Sequence, residues 1–203
     1  NTILKKIVCI TDIDPEYKKN PVAPDEDDET KHFKKCYPFE FNANTTEYLY
    51  HQNLTPATYS AHLDISFYSQ DSTYGKTLEY ELVRCNPTFE LLVTGVMKNQ
   101  SEIKRLMTAY RDGKGLDEIT GLMNRSEENT RIKSSINANT TWSEKDKKDA
   151  VIASRYLNSV GKGENALELS RILLENLEKK GTAEYQEFNV PSYIAEAIES
   201  LCP

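Results

Sequence analysis

The stretch Ala57-Thr-Tyr59-Ser-Ala61-His-Leu63-Asp-Ile65-Ser-Phe67 decides how this chain is read. Its apolar side chains fall on every odd position, the two-residue period of a half-buried strand. The following Gln70-Asp-Ser-Thr-Tyr-Gly-Lys76 is rich in turn formers, and Thr77-Leu-Glu-Tyr-Glu-Leu82 alternates again. Two alternating runs across a Gly-containing loop predict an antiparallel β-hairpin. Its buried side would carry the odd positions of the first run together with Leu78, Tyr80 and Leu82.

Upstream, Thr2–Thr11 carries Ile3, Leu4, Ile7, Val8 and Ile10 and reads as a short strand. Residues 12–35 contain three prolines and five consecutive acids from Asp25 to Glu29, with too little apolar surface to offset the entropy of ordering. They read as a solvated loop. The acids are contiguous, without the alternate spacing and glycine of a calcium loop.

Past Cys85 the period changes to that of a helix. Asn86 suits an N-cap, Pro87 a first turn, and Phe89, Leu92, Val93, Val96 and Met97 share one helical face. Ser101 opens a second helix through Ile103, Leu106, Met107 and Tyr110, stopped at Gly113 and Gly115. Leu116–Asn124 is a short helix, and Arg125–Trp142 a polar loop anchored by Ile132 and Ile136. A helix starts at Ser143 and stops at Gly161. Another packs Leu169, Leu173 and Leu177 and stops at Gly181, and a last one follows Pro191 with Tyr193, Ile194, Ala197, Ile198 and Leu201. The expected fold is α+β, a hairpin or small sheet in the N-terminal half packed against a helical C-terminal half. With no Gly/Ser/Pro linker between the halves, residues 1–203 read as one domain, β-rich over 1–85 and helical over 86–203.

Cys9, Cys36, Cys85 and Cys202 are widely spaced and form no CxxC or Cys/His cluster, which speaks against zinc and a thioredoxin-like pair. An even number of distant cysteines predicts two structural disulfides, Cys9–Cys36 and Cys85–Cys202, and an extracytoplasmic setting, secreted or periplasmic. A chain opening at Asn1 fits a mature protein whose signal has been removed, and equally a trimmed chain. Five N-glycosylation sequons begin at Asn44, Asn53, Asn99, Asn124 and Asn139, against about two expected by chance from composition. They would be used if the origin is eukaryotic and secretory.

Net charge is −7, which argues against nucleic acid as a partner, and no run of 18 apolar residues would span a membrane. The three histidines, His32, His51 and His62, have no metal-site spacing, and the eight glycines form neither a dinucleotide fingerprint nor a phosphate loop. Ser60, His62, Asp64 and Ser66 would share one strand face, but it is the polar, wet side of the hairpin, and no nucleophile elbow accompanies it. No cofactor is indicated. Twelve tyrosines stand against one tryptophan, seven of them between Tyr37 and Tyr80. Tyrosine offers rigid contact area with a polar tip, so a recognition surface with Tyr48, Tyr50, Tyr68 and Tyr74 as contacts is expected. Together these features point to binding of another protein rather than catalysis. The alternatives are a carrier of a small apolar ligand and an enzyme whose site has no familiar motif.

Overall fold

The computed structural model describes residues 6–19, 33–41 and 48–202. The chain is a mixture of helix and small sheets and forms two compact units, Asn1–Leu78 with Val190–Pro203, and Glu79–Asn189. No helix among the described residues is long and apolar enough to cross a membrane.

In the first unit, β1 (Ile7–Ile10) pairs in parallel with β5 (Ile65–Tyr68), Ile7 opposite Ile65 and Ile10 opposite Tyr68. A second sheet has the order β3 (Phe33–Lys35), β2 (Glu16–Lys19), β4 (Tyr48–His51), all antiparallel. The short helix α1 (Thr55–Tyr59) packs against β5, and the terminal helix α8 (Ser192–Leu201) packs on both β1 and β5. Tyr193 and Ala197 are the buried face of α8.

The hairpin expected across residues 57–82 is not formed. Only the end of the first run, from Ile65 onward, is strand, and its partner is β1, in parallel. Thr55–Tyr59 turns into helix with Pro56 in its first turn, where a missing N–H costs nothing. Leu63, expected in the core, is 99% exposed. The second run is helix α2 (Leu78–Arg84), in which Tyr80 and Val83, three apart, are buried while Leu78 faces solvent. The edges of the acidic loop are also strands, β2 and β3, with Glu16 opposite Lys35. Their sequence is too polar to predict this; Tyr17 supplies the anchor, its hydroxyl donating to the Glu40 carbonyl and its ring edge-on to Tyr50.

The second unit is helical. Its centre is α6 (Glu144–Leu157), capped by Ser143, whose Ala150, Val151, Ile152, Ala153 and Tyr156 are fully buried. Around it pack α3 (Gln100–Arg111), α4 (Leu116–Gly121) and α5 (Glu127–Ala138). Ile103, Leu106 and Met107 of α3 are buried as expected, and Gly113 ends that stretch at φ 74°, a conformation glycine adopts freely. Helix α5 replaces an expected loop. Ser126 caps it by accepting from Asn129 N–H, and Ile132 and Ile136, one turn apart, bury completely and outweigh its polar composition.

The helix expected after Asn86 is absent, and only a 3-10 turn forms at Glu90–Leu92. Asn86 is occupied elsewhere: its side chain donates to Leu82 O and Asn189 O, and accepts from Asn189 N–H. Helix α7 (Lys162–Glu178) closes the unit.

No disulfide joins Cys9, Cys36, Cys85 or Cys202 in this structure. Cys36 is buried, and Cys202 lies exposed at the end of α8. The Cys85 thiol lies 3.8 Å from the Glu81 carboxylate, and burial first, then that negative charge, holds its pKa above the ordinary thiol range. A thiol so placed is a poor nucleophile for disulfide exchange.

Candidate functional site

The expected tyrosine contacts are spread over β4, β5 and the turn that follows β5. Tyr50, Tyr68 and Tyr74 are half-buried. Burial, reinforced by the charge at Cys36, pushes the Tyr50 phenol up to about 12 against a hydrogen bond donated by Gln52. Its ring also packs on Phe41 at 4.6 Å. Tyr48 is a residue of β4 whose side chain lies outside the described set. Tyr37 and Tyr80 are core, Tyr37 stacking on Phe39 at 5.1 Å. The tyrosine excess is therefore partly a packing feature.

The Ser60, His62, Asp64, Ser66 set is not a cluster, because α1 and a turn separate these residues from any common strand. His62 and Asp64 are exposed, and the Ser60 hydroxyl caps α1 by donating to Ala57 O. His32 and Asn44 lie outside the described residues. Among the described residues no group of His, Cys, Asp and Glu is placed to hold a metal ion. The remaining sequon asparagines are built into the fold. Asn53 Nδ2 donates to Thr11 Oγ1 and Asp12 O, Asn99 Nδ2 to Ser159 Oγ, and Asn124 Nδ2 to Glu102. Asn139 accepts from Thr141 and Trp142 N–H. A glycan attached to Asn53 would displace one of its two bonds.

Two features emerge in their place. The first is an open cleft of about 750 Å³ in the first unit, at the C-terminal end of β1. Asp12, Asp14 and Glu16, alternating along the chain as it leaves β1, supply carboxylates, and His51, Asn53 and the start of α8 complete it. No lysine or arginine is among its lining residues.

The cleft has a rigid base. Gln70 is buried, accepts from Ile13 N–H at 2.8 Å, and donates to Asp12 Oδ1 at 2.7 Å and Tyr193 OH at 3.1 Å. Asp12 Oδ1 also accepts from Leu78 N–H. The turn that carries Gln70 needs Gly75, since a side chain there would collide with Gln70 Cβ and Asp71 O. Asp14 sits at φ 41°, an uncommon conformation for any residue but glycine, and its N–H donates to Lys76 O. Lys76 is buried beneath, with Nζ 2.6 Å from Cys36 O and over the Tyr37 ring. Burial holds its pKa below the ordinary lysine value against the pull of Asp14.

The second feature is on α7. Asn165, Leu169 and Asn176 point into the second unit, and Leu173 is half-buried. Asn165 accepts from Thr94 Oγ1, and Asn176 holds residue 186 by both its N–H and its C=O. On the other side of the same helix, Leu167, Leu174 and Leu177 are 76%, 63% and 55% exposed. At 3.6 residues per turn these three fall within an arc of about 80°, with Ser170 between them. Leu177 was expected in the core and is not.

Each feature had a signal in the sequence. The alternating carboxylates directly after an apolar strand mark the cleft. On α7, leucines at i, i+7 and i+10 form a set separate from Leu169 and Leu173. No protein family, curated protein or solved structure matches this chain.

Proposed function

We propose that the protein is a binding module for another protein, docking an amphipathic partner helix against the exposed leucines of α7. The observation that carries this is the second apolar face of α7. Three leucines of one helix stay in water although the opposite face already anchors the helix. Each would contribute about 1–2 kcal/mol if a partner covered the part still in water. Apolar residues at heptad-like spacing are how one helix reads another.

Charge argues for the kind of partner. The flank beside the leucine stripe carries Glu164, Glu175 and Glu178 against Arg171 alone, so the complementary helix carries Lys or Arg along its edge. A second copy fits poorly, because antiparallel pairing would bring this Glu-rich flank of α7 against itself. The expected contacts Tyr48, Tyr50, Tyr68 and Tyr74 belong to the first unit and are proposed as a separate contact surface, apart from the α7 face. The extracytoplasmic setting and the two disulfides belong to the same proposal and rest on cysteine number and spacing alone. Alkylation of the native protein without reductant tests them, since modification of exposed Cys202 would exclude a Cys85–Cys202 bridge.

The docking proposal is tested by placing a photoreactive p-benzoylphenylalanine at Ser170 in the native host. Cross-linking to one protein from Ser170, lost with Leu174→Glu and absent when the probe sits at exposed Glu187, supports it. Equal capture from both positions, or capture indifferent to Leu174→Glu, overturns it.

A further inference from the structure

We propose that the edge of β1 that no described strand pairs with takes up an extended, basic peptide segment as an added strand, whose Lys or Arg side chains enter the carboxylate cleft. This does not depend on the α7 surface. The ladder geometry carries the argument. Ile7 N–H donates to Asp64 O at 2.8 Å and Thr11 N–H to Tyr68 O at 3.0 Å. In a parallel pair every second residue presents both its N–H and its C=O to the neighbouring strand. Residues 7, 9 and 11 therefore face β5, and Val8 and Ile10 turn their backbone groups away from it.

Among the described residues no backbone group bonds Val8 or Ile10 on that outer side. Four donors and acceptors thus stand in a row beside half-exposed Ile7 and Ile10, a template for strand addition. Beyond Ile10 the edge is closed. Asn53 Nδ2 donates to Asp12 O at 2.8 Å and Asn53 N–H to Ile13 O at 2.9 Å. An incoming strand therefore ends at Ile10, at the mouth of the cleft, where Ile10 and Thr11 are themselves lining residues.

What the end of that strand meets is acidic. Asp12 is held in place by Gln70 and Leu78 N–H, Asp14 and Glu16 follow along the chain, and no lining side chain carries a fixed positive charge. Lys35 reaches Asp14 Oδ2 at 3.3 Å, but the lysine end of this pair is exposed, and a ligand cation would displace it at small cost. An acidic or neutral strand could use the edge alone; a basic one uses the edge and the cleft together.

The probe is a fluorescent peptide, Arg-Lys-Val-Thr-Val-Thr, titrated into the full chain and read by anisotropy. Saturable binding is expected, at least about tenfold weaker when the two basic residues are replaced by Glu. A similar loss is expected when alternate backbone amides are N-methylated, which blocks a ladder without changing charge. Ile10→Pro removes an outward N–H and no bond to β5, so it should weaken the probe with β1 intact. Glu16→Gln should weaken the basic peptide and leave the Glu version unaffected. Absence of saturable binding, equal binding of the N-methylated peptide, or equal binding of the Glu peptide each overturns the proposal. If the peptide fails while Ser170 still cross-links, only this inference is lost.

Discussion

The two units treat polar and apolar groups in opposite ways. In the helical unit charge is buried and paired. Glu102 accepts from Arg155 Nε and Nη2 at 3.1 and 2.9 Å, from Asn124 N–H and Nδ2, and from Asn129 Nδ2, which ties α3, α5 and α6 together. Burial alone would raise its carboxyl pKa, but the Arg155 and asparagine hydrogen bonds outweigh it and hold it below the usual carboxylate range. In the sheet-containing unit the polar network around Gln70 lies at the edge of an open cleft, and Ile7, Ile10, Leu54, Tyr59 and Leu63 stay in water. Buried polar groups with every partner present fix a fold. Apolar groups and strand edges without partners invite one. On α7 the two behaviours meet across one helix.

The largest effect is expected at the buried ion pair. Glu102→Ala leaves Arg155 charged and unpaired, and denaturant unfolding should show a loss of about 3–5 kcal/mol. Glu102→Leu combined with Arg155→Met should recover most of it, because the desolvation cost of both charges disappears. A mild single-mutant effect would mean the network does not hold the helices.

The same carboxyl gives a pH dependence of definite sign. With its folded pKa depressed, its contribution is complete above about pH 4.3 and is lost as pH falls through the folded value. The stability gap between the wild type and Glu102→Gln should therefore narrow in acid. A gap that widens would contradict the stated ionisation.

Next comes Gln70→Ala, which strands the buried Ile13 N–H and frees Asp12 and Tyr193. A loss of about 2 kcal/mol is expected, with increased hydrogen exchange at Ile13. Asn176→Ala should cost about 1–2 kcal/mol by releasing residue 186 from α7. The smallest change is expected at Leu63→Ser, within about 0.5 kcal/mol, since the side chain touches almost nothing. A large loss there would return it to the core where its alternation first placed it.

Much of the helical unit was legible because apolar spacing and caps agree. Ser143 with α6, and Ile103, Leu106 and Met107 with Gly113, satisfy several local rules at once. Helix α5 was not legible: its composition is polar, and two isoleucines plus the Asn129–Glu102 bond decide it through tertiary contact. The alternation over Ala57–Phe67 misled for a different reason. Small Ala57 and Ala61 suit a helix or turn as well as a strand, and Pro56 biases the first turn towards helix. For Leu78–Leu82 the period of two and the period of three share Tyr80, and Val83 settles it. The α7 stripe was hidden among its neighbours, since Leu173 and Leu177 look equivalent until the helix is rotated. The carboxylates after β1 mark one wall of the cleft, but the approach of β4 and α8 that completes it has no local pattern.

The double variant Leu167→Glu, Leu174→Glu tests the central claim most directly, with thermal melting and Ser170 cross-linking measured on the same preparation. The melting temperature is predicted to stay near that of the wild type, because both side chains already lie in water, while the cross-linked partner disappears. A variant that melts well below the wild type, or that keeps its partner, would contradict the account.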